Sequence, residues 1–352
     1  MSEKGDASRE PSITACVINY QGEEYLDATL MALRQAKVSL AEVLVVDDAS
    51  TDGSVALLER DHLDVELVRL SENCGPAEAR NVGFRRATSD LVLFIDNDVA
   101  VAPDTPALLA RSLRLHPRAV LAMPRVIYAH DPDTIQYDGA ASHFIGLMKL
   151  ENEDRPLSAA AVRTREIQSL VTACFMIDRS RWGGAGPFDD SFGYVLEDHD
   201  LGLRARILGH VILAVPADCF HGLGTRGLSL RQTGTYAERR VIGLIRNRWR
   251  LLLKNYEART LIVLSPILLA FECFQLAGAI KKGWVGQWLV AIRSILQARK
   301  SIRIDRSAVQ AARRSRDCQI LTGGPIPFSG VLFQGRLPTT ARPHPARRGS
   351  WG

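Results

Sequence analysis

LVLFIDNDV, residues 91–99, is the stretch on which the fold turns. Residues 91–95 are apolar and mostly branched, and Asp96-Asn97-Asp98 follows at once. A short apolar run ended by turn-forming residues reads as a buried strand. Side chains two apart on extended backbone point to the same side. Asp96 and Asp98 therefore leave the core together, and two carboxylates so placed suit a hard divalent cation. Asp and Asn also favour turns, so a plain polar strand end satisfies the same pattern.

The same arrangement recurs upstream. Residues 13–19 are an apolar run, followed by Tyr25, Leu26, Leu30 and Leu33 at helical spacing. Residues 43–46 predict a second strand, which ends in Asp47-Asp48. Asp52-Gly53-Ser54 opens a helix, residues 65–70 predict a third strand, and residues 76–87 a helix with Pro76 in its first turn. Strands separated by helices imply right-handed crossovers and a mostly parallel sheet, hence an α/β fold. Ligands of such sheets bind at the carboxyl ends of the strands, which is where both acidic clusters fall. Further strands are expected at 119–124, 170–177 and 211–215, with a helix at 200–208 and a loop at 187–192. Residues 129–168 lack periodicity and read as an insert.

Three acidic groups carry the chemistry. In VVDDASTDGS (45–54), Asp52 and Ser54 suit helix capping, and a carboxylate at Asp47 or Asp48 can accept from a base N–H or ribose hydroxyl. Glu197-Asp198-His199-Asp200 puts three acids at a helix start. They either complement the helix dipole or supply a general base. His221, after the last strand, offers an imidazole as a third metal ligand.

Charge divides the chain. Residues 239–316 hold 17 Lys/Arg against three acids, a net of +14, whereas the whole chain carries +5. The remainder is therefore acidic, at −9. The basic part interleaves Arg and Lys with apolar residues (RVIGLIRNRWRLLLKNY, 240–256) and then runs apolar for 21 residues (260–280). That length approaches the ~20 needed to cross a bilayer, but Pro266, Glu272 and Gln275 interrupt it. Trp284 and Trp288 suit an interface. The expectation is an interfacial or re-entrant attachment to an anionic membrane surface, against a buried core or an oligomer contact. No nucleic-acid motif accompanies the charge, so nucleic acid is not expected as a partner. The polar N-terminus precedes no signal-type apolar run, and six single cysteines form no CxxC pair. Both point to a cytoplasmic chain with reduced thiols, peripheral or monotopic at the inner face of the cell membrane. The expected organisation is a catalytic domain over 1–230, a basic helical region over 231–322 and a loose tail over 323–352.

Taken in order, VINYQGEEYL (17–26), VLVVDDASTDGS (43–54), NCGPAEARNVG (73–83), LVLFIDNDV (91–99) and GPFDDSFGYVLEDHDLGLRARILGH (186–210) with His221 resemble the family-2 glycosyltransferases of GT-A fold. The bacterial members similar to rhamnosyl- and galactofuranosyl-transferases are the nearest in pattern. The resemblance covers residues 12–225 and implies a nucleotide-sugar-binding domain. It implies inverting, metal-dependent hexosyl transfer from a nucleotide-sugar to a glycan or lipid-linked hydroxyl, in cell-envelope polysaccharide or glycolipid synthesis. It places Tyr20, Asp47, Asp48, Asn73, Gly75, Arg80, Asn81 and Asp96 on the donor. Asp96, Asp98 and His221 would hold Mn2+ or Mg2+. Asp198 would be the catalytic base, with Glu197 and Asp200 in support. Gln21 departs from the pattern, where Asn is common after the tyrosine. Self-association is left open by the resemblance.

Two other readings compete. A nucleotide-sugar-binding scaffold without catalysis would keep the donor residues. A phosphoacceptor signalling domain also pairs acids after a strand, but it is much shorter and leaves Glu197-Asp198 and the basic helices without a role.

Overall fold

The computed structural model describes residues 10–183, 186–222 and 238–327. Its first part alternates as the sequence predicts: β1 (Ile13–Asn19), α1 (Leu26–Arg34), β2 (Glu42–Asp47), α2 (Ser54–Asp61), β3 (Glu66–Arg69), α3 (Pro76–Arg86) and β4 (Leu91–Asp96). These four strands pair in parallel in the order β3-β2-β1-β4. All seven residues of β1 are buried, as are the first five of β4, because helices cover both faces of a parallel sheet. The register aligns their carboxyl ends, with Asn19 opposite Asp47 and Ile18 opposite Asp96.

Next come β5 (Val99–Val101), α4 (Thr105–Leu115), which the sequence reading omits, and β6 (Ala119–Tyr128). The aperiodic insert is a set of short strands: β7 (Asp131–Tyr137), β8 (Gly139–His143), β9 (Leu147–Glu151), β10 (Arg155–Pro156) and β11 (Arg165–Ile167). Then follow β12 (Cys174–Asp178), α5 (Arg179–Trp182), α6 (Glu197–Ile207) and β13 (Val211–His221). Beyond β4 the main sheet continues through β12, β6, β7 and β10, with β12 antiparallel to both β4 and β6. β13 lies parallel to β6, and its last residues run antiparallel to β5, setting His221 opposite Val99. That register brings a residue 123 positions downstream of Asp98 to the tip of β4.

The C-terminal part is helical: α7 (Glu238–Asn255), α8 (Ala258–Lys282), α9 (Val285–Gln297), α10 (Arg299–Ala312) and α11 (Asp317–Ile320). It ends in β14 (Leu321–Thr322), which joins β8 and β9 in a second small sheet. One apolar cluster unites Ile145 and Leu147 of the insert with Phe192, Leu203 of α6, Leu251 and Leu252 of α7, and Leu268 and Phe271 of α8. The expected break between a catalytic domain and a separate helical region is thus bridged by a shared core. The expected border at residue 230 lies outside the described residues, as do residues 328–352 of the expected tail.

Candidate active site

The tips of β2 and β4 carry the acids, β1 ends beside them in Asn19, and neighbouring polar groups sort their roles. Asp47 is buried, and its carboxylate accepts from Asn19 Nδ2 at 2.7 Å and from the Ser50 N–H at 3.0 Å. It fastens β1 to the turn after β2, so it serves the frame of the pocket and does not face a donor as expected. Asp48, one residue on, reaches across to the 73–75 loop and accepts from the Cys74 and Gly75 N–H groups at 2.7 and 2.9 Å. Burial pushes its carboxyl above the usual range, against those two N–H bonds and the Arg239 charge. Gly75 has φ +87°, and a Cβ there would stand 2.8 Å from Gly193 O. Only glycine fits that backbone and lets the 73–75 loop touch the loop before α6. Tyr20 is exposed beside these residues, and Asn73 Oδ1 accepts from Arg239 at 3.4 Å.

Arg80, on the buried face of α3, ties the second acidic group to the third. Its Nη2 donates to Asp96 Oδ1 at 2.6 Å and to Thr172 O at 3.2 Å, while its Nη1 lies 3.6 Å from Glu197 Oε1. The guanidinium also stands over the Phe188 ring, 5.5 Å from its centre. One buried cation thus sits between the tip of β4 and the start of α6, as buried acids require. Asn81, expected on the donor, does other work. Its amide donates to Phe188 O and accepts from Phe188 N–H, at 3.0 and 2.9 Å. It clamps the 186–192 loop.

Glu197 and Asp198 begin α6 after two residues in the left-handed region, Val195 at φ 68° and Leu196 at φ 65°. For a β-branched residue that conformation is strained and needs outside support. Burial pushes the Glu197 carboxyl up, Asp198 adds to the rise, and Arg80 opposes it. Burial likewise pushes Asp198 up, against a bond from the His199 N–H at 2.7 Å and the charge of Arg80. Asp200 lies three positions into the helix and points the other way. It is fully buried and bonds Arg204 at 2.7 Å, Lys254 at 2.9 Å and Asn255 at 2.8 Å. Burial pushes its carboxyl up, but Arg204 and Lys254 outweigh this and hold it well below the usual range. Asp200 supports α6 against α7 and has no access to a substrate.

At the tip of β4 the two expected metal ligands take different partners. Asp96 Oδ1 is engaged by Arg80, while Asp98 Oδ1 stands 3.5 Å from His221 Nε2. The other imidazole nitrogen of His221, Nδ1, lies 2.8 Å from Gln136 Oε1, an oxygen that can only accept. An N–H at Nδ1 donates to that oxygen, which fixes the ring orientation and makes Nε2 the nitrogen that faces Asp98. Among the described residues no three His, Cys, Asp or Glu side chains form a ready cation cage. Asp98 and His221 supply two donor atoms of the kind that bind divalent ions.

Residues 14–180 match the family model described as glycosyl transferase family 2. They form a family 2 glycosyltransferase domain. The signalling-domain reading falls with that match. The domain is 35% identical over 100 residues to the uncharacterized glycosyltransferase YfnE of Bacillus subtilis, covering 28% of this chain and 25% of that protein. It is 30% identical over 118 residues to poly-beta-1,6-N-acetyl-D-glucosamine synthase of Staphylococcus aureus, covering 32% of this chain and 29% of the synthase. The matched stretch thus spans a quarter to three tenths of these relatives. Among solved structures, the mannosyltransferase PcManGT of Pyrobaculum calidifontis, in complex with GDP-Man and Mn2+, superposes over 87% of each chain with a TM-score of 0.50 and 20% identity. At that identity the likeness is one of fold.

Sequence reasoning missed the polar groups that hold this site in place. Gln136 sits in the aperiodic insert. Asn247, Lys254 and Asn255 sit in the basic stretch, which reads as lipid-facing. A signal was present: Leu244, Asn247, Arg248, Leu251 and Asn255 fall on one helical stripe, so polar residues occupy core positions.

Proposed function

We propose that this protein is an inverting, metal-dependent glycosyltransferase. It would move a hexosyl group from a nucleotide-sugar to a hydroxyl of a glycan or lipid-linked acceptor in envelope synthesis. The observation that carries the reading is the Arg80 bridge, which seats the Glu197-Asp198 pair beside the acids at the tip of β4. A binding module needs the nucleotide pocket but has no use for a buried carboxyl pair with raised proton affinity.

The nucleoside would lie over the tips of β1 and β2, between Tyr20, Asp48 and the 73–75 loop. Asp98 and His221 would hold Mn2+ or Mg2+, which supplies charge neutralisation to a departing diphosphate. Arg80 keeps Asp96 and Glu197 from repelling that same diphosphate. Asp198 takes the proton of the acceptor hydroxyl as its oxygen bonds to the anomeric carbon. The bond to the diphosphate breaks on the opposite face, so the configuration inverts. Glu197 shares the raised proton affinity of the pair and sits behind Asp198.

The place of action is the cytoplasmic face of a membrane. α8 is long and apolar enough to cross a membrane, and most of its apolar stretch is not buried in the protein. Its polar residues face inward: Glu272 accepts from Arg248 at 3.2 Å and from the Trp249 and Trp288 indoles, each at 2.7 Å. Trp288, expected at the interface, is thereby turned toward the protein. Ile262, Val263, Leu269, Phe274 and Ile280 are exposed on the outer side. Exposed Lys281, Arg293, Arg299, Lys300 and Arg303 lie on the same helical layer. A helix held along its polar side lies flat in a lipid interface, since crossing the bilayer would break the Glu272 bonds.

The test is turnover of UDP-, dTDP- and GDP-sugars with Mn2+ or Mg2+ present. Transfer from one nucleotide class with inverted product configuration, abolished by EDTA, is the expected result. Full activity in excess EDTA would contradict the metal, and tight donor binding without turnover would favour a scaffold.

A further inference from the structure

Helix α7 lies outside residues 14–180, the stretch that matches the family model, yet it reaches the backbone that aims the acid pair. Asn247 is fully buried, and the two N–H groups of its Nδ2 are shared among three acceptors, Phe192 O at 2.9 Å, Tyr194 O at 3.0 Å and Val195 O at 2.7 Å. Arg246 adds a bond to Phe192 O at 2.8 Å. These carbonyls belong to the turn in which Val195 and Leu196 are left-handed. Val195 itself packs over Gly243, one helical turn before Asn247, where a Cβ would come within 3.0 Å of Val195 Cγ2.

A strained turn persists only when its surroundings over-determine it. Here one amide gathers three carbonyls that would otherwise repel one another, sharing Phe192 O with Arg246 and pairing Tyr194 O and Val195 O itself. Were the turn to relax, the first turn of α6 would rotate, and Asp198 would move with it. We propose that Asn247 is a positioning residue for transfer: it holds the 192–196 turn so that Asp198 meets the acceptor hydroxyl. The proposal rests on Asp198 acting as the base. Asn247 touches no substrate and acts through that turn alone.

The experiment compares Asn247→Ala and Asn247→Asp with Asp198→Asn and with the double variant Asn247→Ala/Asp198→Asn. Aspartate keeps the shape of asparagine but, ionised, has no N–H to donate. Both Asn247 variants should lose about 100-fold in kcat, the cost of misplacing a catalytic group by about an ångström. Donor KM and donor affinity by calorimetry should hold. The double variant should be no slower than Asp198→Asn alone, because both act through one group. Adding Val195→Gly to Asn247→Ala should return part of the lost rate, since glycine adopts the left-handed turn without strain.

Losses that multiply in the double variant would overturn the proposal, as would a fall in donor affinity that matches the fall in rate. Wild-type kcat in Asn247→Ala would also overturn it. Failure of both Asn247 variants to fold, even with Val195→Gly, would make the residue a general support of the core and end the proposal. An active Asp198→Asn would instead remove the assignment of the base, a distinguishable failure.

Discussion

Helices α7 and α8 are neighbours of opposite composition, and they turn the same kind of group the same way. α7 is the basic one, yet Arg248, Arg250 and Lys254 are buried, paired with Glu272, with Asp305, and with Asp189 and Asp200. α8 is the apolar one, yet much of its apolar surface is exposed, while Glu272 and Gln275 are buried along with Leu268 and Phe271. The pair reverses the usual relation of composition to burial. The lesson is that the local excess of positive charge is partly consumed inside the protein, where it anchors acids at and around the site. What remains for a membrane is an apolar surface rimmed by the outer cations of α9 and α10.

The sharpest way to break this comparison is to remove a buried cation from α7. Lys254→Met leaves Asp189 and Asp200 short of a partner at 2.6 and 2.9 Å. Removing one member of a buried ion pair costs about 3–5 kcal/mol, so the denaturant midpoint should fall steeply. An exposed cation on α10 such as Arg303 should change it by under about 0.5 kcal/mol. Equal effects would make α7 a solvated helix and dissolve the contrast. The Asp200 contribution has a pH signature too. Its folded pKa lies below the unfolded value, so the stability it supplies is present above about pH 4 and is lost as pH falls further.

A smaller effect is expected on the outer face of α8. Val263→Glu or Phe274→Glu should weaken binding to anionic liposomes about tenfold each. That is roughly what withdrawing one such side chain from an apolar medium costs. Stability in solution should hold for Val263→Glu, which lies outside the core clusters, and fall slightly for Phe274→Glu, whose ring lies 6.2 Å from that of the buried Phe271. Salt at 1 M should loosen the same contact, since screening shortens to about 3 Å. Unchanged liposome binding in both variants would assign that face to a protein neighbour.

The smallest expected effect concerns the acid pair. The folded pKa values of Glu197 and Asp198 lie above their unfolded values, so wild-type stability falls as pH rises through that raised range. Glu197→Gln removes the burial of a charge and should raise the thermal midpoint at pH 7. The gain should shrink on acidification, as wild-type Glu197 takes up its proton. A lower midpoint at every pH would mean that Arg80 stabilises the ionised pair outright.

The parallel half was legible because its strands are short, mostly apolar runs, and two of them, β2 and β4, stop at an acid. Period and strand-end chemistry agree there, as for residues 91–98. The His221–Asp98 pairing was legible only as residue types. Their approach depends on β13 passing β6 and reaching β5, a register with no local signal. Asp47, Asn81 and Asp200 carried the expected residue types but face inward. An Asp at a strand tip serves a ligand or its own backbone equally well in sequence, and only the positions of Ser50, Phe188 and Lys254 decide between them. The insert defeated periodicity because its strands hold only two to seven residues and are divided between the rim of the main sheet and a second small sheet.

The claim that unites these regions is that α7 and α3 hold an acid pair for proton transfer over a nucleotide-sugar site. Asp198→Asn tests it most directly. Asparagine keeps the size and the helix-capping ability of aspartate but cannot take the acceptor proton. Transfer should fall by about 100-fold or more, typical of a lost general base, while donor affinity in the presence of Mn2+ stays within about twofold. Normal turnover by this variant would contradict the account. It would leave Asp198 as the first turn of a helix and pass the base to another group.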